Sequence, residues 1–80
     1  MSEEKLSILL RDRYEKAKRN DATLQIHLFG IEYANEIRKS NYPVTKIVER
    51  AGIGKGYASE LSKGMKLSEY VRIKKTKKDK

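Results

Sequence analysis

The stretch from Val44 to Lys63, VTKIVERAGIGKGYASELSK, constrains the fold of this chain more than any other. Ile47, Val48 and Ala51 recur at helical spacing, and Ala58 and Leu61 stand one turn apart further on, so each set shares a helix face. Between them Gly52 is free to take the positive φ with which many helices stop. Ile53 follows as an apolar plug. The pattern predicts a short helix over 44–51 and a reversal at Gly52. A second helix is expected from Gly54 or Lys55 to about Lys63, ending at Gly64. Small Ala51 and Ala58 let the two helices approach closely.

Two longer helices are expected upstream. Over Glu3 to Arg19, Leu6, Leu9, Leu10, Tyr14 and Ala17 fall at helical spacing. Ser2 offers a cap, with Glu3 and Glu4 at the favourable end of the helix dipole. Asn20-Asp21 breaks that helix, and Asp21 offers a cap for the next. Over Ala22 to Lys39 a wide apolar face combines Leu24, Leu28, Ile31 and Ala34 with Ile26, Phe29, Tyr33 and Ile37. Thr23 to Leu28 also alternates like a strand, but the helical spacing continues through Ile37 and outweighs it. Gly30 is then an interior glycine, costing about 1 kcal/mol against alanine, which a neighbour pressed against the backbone would explain. Ser40-Asn41-Tyr42-Pro43 reads as a loop, since Tyr42 precedes a proline that can only stand at a helix entrance. Leu67 to Ile73 fits a short helix slightly better than a strand. The fold class expected is all-α: four to five helices in one domain over residues 1–73, with Lys74–Lys80 as a basic, disordered tail.

Charge narrows the partner. The net charge is +8, and residues 41–80 hold 11 Lys/Arg against 4 Asp/Glu while residues 1–40 hold 8 against 7. The basic half is the half with the paired short helices, which points to a polyanion. Five of those 11 basic residues belong to the tail, where they also serve solubility. With no cysteine there is no disulfide or thiolate-metal site, which fits a reducing cytoplasm. No apolar run approaches the roughly 20 residues that span a membrane, and MSEEKLS lacks the apolar core of a signal peptide. Eighty residues bury a marginal core, which dimerisation would enlarge.

The residues Ile47-Val48, Ala51-Gly52-Ile53, Ala58, Leu61 and Gly64 resemble the phage-repressor type of helix-turn-helix, found in small repressors and antitoxins. The resemblance covers Val44 to Met65. Val48 and Ala58 depart from it, exchanging a small and a larger side chain. Pro43 stands where Ser or Thr is common, and two long helices precede the pair instead of one. The resemblance implies that the second helix enters the major groove of double-stranded DNA, with Lys55, Gly56, Ser59, Glu60 and Lys63 near the bases. Lys55 would donate to guanine or phosphate, Ser59 to either, and Glu60 would accept from cytosine. Tyr57 would pack beside the backbone or donate its hydroxyl to a phosphate, and Thr45 and Lys46 would meet phosphates at the start of the first helix, whose amides also favour an anion.

Other constellations carry less. Gly52-Ile53-Gly54-Lys55-Gly56 resembles a phosphate loop, but Gly56 stands where that loop needs Ser or Thr and no strand precedes it. His27, the single histidine, has no cysteine or evident acidic partner and reads as structural. Glu32 and Glu36 read as a solvated face. Leu6, Leu9, Leu10 and Tyr14 read as core in preference to a dimer seam. No nucleophile, metal set or acid–base pair stands out, so neither an enzyme nor a cofactor is expected. The expectation is therefore a cytoplasmic, nucleoid-associated DNA-binding regulator, a homodimeric repressor. Two rivals are a protein-interaction module (an antitoxin or adaptor) and, more weakly, an RNA binder.

Overall fold

The computed structural model describes residues 2–18 and 20–74. Among these it contains four α-helices and no strand: α1 (Glu3–Lys16), α2 (Ala22–Ser40), α3 (Val44–Ala51) and α4 (Tyr57–Leu67). The all-helical expectation holds, at four helices.

Each helix boundary has a local cause. Ser2 caps α1 by accepting from the Lys5 amide at 3.1 Å, with Glu3 and Glu4 in the first turn. α1 stops at Lys16, short of the expected Arg19, because Ala17 turns extended. Asp21 holds the N-cap position of α2 but makes no side-chain cap bond. Asn41, at φ 64°, closes α2 by donating its amide to the Ile37 and Arg38 carbonyls. Pro43, extended at φ −64° and ψ 139°, opens α3, and Gly52 closes it at φ 75° as anticipated. α4 differs from expectation at both ends. Lys55 and Gly56 form a turn before it, with the Tyr57 and Ala58 amides bonded to the Gly54 and Lys55 carbonyls at 3.1 and 3.0 Å. Gly64 does not end the helix but lies buried within it, and α4 continues to Leu67. Beyond Leu67 the chain makes a turn over 68–70 and runs irregularly to Lys74, so neither the separate helix nor the strand considered for 67–73 is present. Residues 75–80 of the expected tail lie outside the described residues.

The core gathers Leu6 and Leu10 of α1, Ile26, Phe29 and Ile37 of α2, Ile47, Val48 and Ala51 of α3, Ile53 of the turn and Leu61 of α4. Leu6 and Leu10 are thus core, as expected. On α2 the Ile26–Phe29–Ile37 line is the buried one, while Leu24 stays 49% exposed. α2 also bends at Tyr33, whose backbone leaves the helical region at φ −107° and ψ 15°.

α1 and α2 form a cradle. α1 packs on α3, and α2 packs on α4 in the most extensive helix pair of the molecule. The α2–α4 crossing is made at glycines. A Cβ on Gly30 would lie 2.7 Å from the Leu61 carbonyl oxygen and 2.9 Å from the Gly64 Cα. This is the close neighbour that an interior glycine called for. On the other side, Arg11 Nη1 donates to the Ala51 carbonyl at 3.0 Å, satisfying an end of α3 from α1.

Candidate nucleic-acid interface

α3, the turn at Gly52 and α4 form the expected pair of helices, with the turn plugged by Ile53 at 4% exposure. Thr45 of α3, with Glu49 on the next turn, faces Lys55 and Ala58 across one shallow cleft. Thr45 and Lys55, read separately from the sequence, are therefore brought together. Lys46 is exposed beside Thr45. The amides of Lys46 and Ile47 already donate to the Pro43 carbonyl, at 3.0 and 3.2 Å. The Ile47 bond is the first ordinary i→i−4 bond of α3, so of these two amides only that of Lys46 is withdrawn from the anion site expected there.

From the cleft the surface continues along α4. Gly56, Ser59 and Lys63 are exposed and follow one another at spacings of three and four, one face of a helix. Ser59 Oγ donates to the Gly56 carbonyl at 3.2 Å, which leaves its lone pairs and a rotatable hydroxyl at the surface. Ser62 and Lys66 are also exposed and extend this stripe. Lys66 escaped the sequence reading because the helix was expected to stop near Lys63, while Ser62, inside that helix, carries no charge to mark it. Their spacing of three and seven from Ser59 was the signal available. Glu49 was likewise not anticipated, and its carboxylate gives the cleft an acceptor among donors.

Two expected contact residues have partners within the protein. Tyr57 is half-buried, its ring edge-on to Tyr14 with centroids 5.3 Å apart. Burial raises its phenol pKa, and the neighbouring Tyr14 and Glu60 raise it further, so the hydroxyl keeps its proton. Glu60 turns back to α2, where it accepts from His27 Nε2 at 2.6 Å, with Lys63 Nζ at 3.7 Å from its other oxygen. The hydrogen bond from His27 is the main cause holding the Glu60 carboxyl below the usual carboxylate range, and Lys63 assists. His27 therefore has an acidic partner after all. The sequence concealed it because the two residues lie 33 positions apart.

The face is basic by composition, with Lys46, Lys55, Lys63 and Lys66 exposed around Thr45 and Ser59. Lysines bring point charges suited to phosphate, and the hydroxyls bring short-range donors and acceptors. Among the described residues no three His, Asp or Glu side chains gather as a metal would require. No described helix is long and apolar enough to cross a membrane.

No curated protein and no solved structure matches this chain. The family model of the HTH-like domain matches residues 2–74, nearly the whole of it, cradle helices included, and the chain belongs to that family.

Proposed function

We propose that the protein binds double-stranded DNA sequence-specifically as a small transcriptional regulator, with α4 in the major groove, and that it acts in the cytoplasm at the nucleoid as a homodimeric repressor. One observation carries this reading: the cleft shared by Thr45 and Lys55 runs into the exposed Ser59–Lys63 stripe of α4, in an HTH-like domain. Lys55 and Ser59 would meet base edges where α4 begins, and Lys63 and Lys66 would follow the groove. Thr45 and Lys46 would take phosphates of the flanking backbone. Glu60 has no base-reading role in this scheme, because His27 holds it. A dimer is favoured because one helix reads few base pairs, and two-fold pairing sets recognition helices about 34 Å apart on successive major grooves. This is the phage-repressor mode of use, by a binder and not a catalyst.

The test is selection of duplexes from a random pool, followed by affinity measured against salt. A palindromic consensus supports both target and dimer. Replacing Lys55 and Ser59 together by alanine should weaken binding to the selected duplex by about 10- to 100-fold and relax its sequence preference. Deleting Lys74–Lys80 should weaken all duplexes alike and flatten the salt dependence. Unchanged binding by the double variant removes α4 from the recognition role. A protein contact is the second reading, favoured by the exposed apolar side chains Leu67, Tyr70 and Val71 at 41%, 81% and 46%. Failure to enrich any duplex would move the assignment there.

A further inference from the structure

Glu60 is the one acidic side chain of α4. It stands at the border of the exposed stripe, directly after Ser59 and three residues before Lys63. A free carboxylate at that place would repel the phosphates that flank a groove. Three features keep it from being free. His27 Nε2 lies 2.6 Å from one carboxylate oxygen, and both side chains are about three-quarters covered, at 27% and 25% exposure. The other oxygen faces Lys63 Nζ. The backbone of His27 is itself pinned, because Gly64 of α4 packs directly on its Cα and carbonyl. A carboxylate offers only acceptors, so Nε2 carries a hydrogen toward it. The result is a chain of contacts from α2 through Glu60 to a lysine of the exposed stripe.

We propose that His27 is a positioning residue for DNA recognition: it turns Glu60 back onto α2, away from the groove, and through Glu60 sets the direction of Lys63. This rests on the DNA-binding reading above. Without the imidazole, Glu60 swings into the exposed stripe, where it opposes phosphate and competes with DNA for Lys63. The defect then belongs to the carboxylate, and removing the carboxylate cures it. A histidine that merely filled space would give a defect that a change at Glu60 does not cure.

The experiment compares the full chain with H27A, H27Q, E60Q and H27A/E60Q on the duplex selected by the wild type, with tautomer-resolving NMR of His27 in the free wild-type protein. The expected results are a His27 ring that carries a hydrogen on Nε2, a loss of affinity of about tenfold in H27A, and recovery in H27A/E60Q to within about twofold of the wild type. H27Q keeps a donor toward Glu60 and should bind like the wild type, which guards against an unfolded H27A. A mixture of tautomers in the free protein overturns the positioning role whatever DNA does. So does wild-type affinity in a folded H27A, or a double variant as weak as H27A; in both cases the selected duplex still stands as evidence of DNA binding. If the wild type selects no duplex, the DNA-binding reading falls and the positioning role falls with it.

Discussion

Replacing Gly64 by alanine is the sharpest probe of how α4 is held. In an exposed helix interior this change stabilises by about 1 kcal/mol, because alanine is the better helix former. Here the new Cβ would be driven into the His27 carbonyl and to 3.0 and 3.1 Å from the His27 and Gly30 Cα atoms. These are backbone atoms, with no side chain to swing aside. To regain ordinary carbon contact the two helices must part by about 1 Å, and a gap of that size forfeits a quarter to a half of each dispersion contact across it. Leu61 of α4, fully buried in the core it shares with Ile26 and Phe29 of α2, would feel that gap. Overpacking of this kind costs typically about 1–3 kcal/mol, and backbone-on-backbone contact belongs at the upper end. Set against the propensity gain, Gly64→Ala should destabilise by about 2 kcal/mol. For a domain of this size that lowers Tm by about 10 °C. Circular dichroism melts, with urea titrations at fixed temperature, would measure it. Gly30→Ala should behave alike, and the double variant should lose less than the sum, since one separation relieves both contacts. Gly56→Ala is the control: its backbone is helical at φ −60° and nothing lies within 4 Å of the added Cβ, so it should be neutral or slightly stabilising. A Gly64→Ala protein that melts at or above the wild type would refute the close-crossing argument.

Two further outcomes follow from the turn and from Glu60. Gly52→Ala must hold alanine at φ 75° and also meets Arg11 Nη1 at 2.8 Å, so a loss of about 1–2 kcal/mol is expected in urea titrations, with Arg11 displaced from the Ala51 carbonyl. Because the folded protein holds the Glu60 carboxyl below its usual range, Glu60 stabilises the fold fully above the ordinary glutamate pKa of about 4.3, and that contribution disappears as pH falls through the lowered folded value. The stability gap between wild type and E60Q should therefore be present near neutrality and close on acidification. A gap that widens in acid would reverse the assigned sign.

Much of this architecture was legible in the residues, and the failures at the candidate site share one main cause. Local signals worked: Ser2 capping α1, Gly52 reversing the chain, Ile53 plugging the turn, and Leu6 and Leu10 turned to the core. Each depends on a few neighbouring residues. What escaped depends on partners far along the chain. Gly64 reads as a helix stop when only its neighbours are considered, but its missing side chain makes room for α2. Glu60 reads as an exposed acceptor until His27 arrives from α2. Tyr57 reads as a neighbour of the DNA backbone, and its packing against Tyr14 is visible only in the fold. Lys66 was hidden by the same misplaced helix end. Thr45 and Lys55 were identified singly, while the cleft that joins them with Glu49 needed the fold.

The two helices of the helix-turn-helix, α3 and α4, owe less to each other than to the cradle behind them. α3 is held by α1 and α4 by α2, with the α3–α4 contact the smallest of the four main pairings. The unit is therefore not portable. A peptide of residues 44–67 lacks most of what fixes its geometry, and grafting its surface residues onto another scaffold would transfer the side chains without their alignment. If the proposed DNA reading holds, altering its specificity means treating the buried faces of α1 and α2 as part of the reading head, even though neither would touch the ligand.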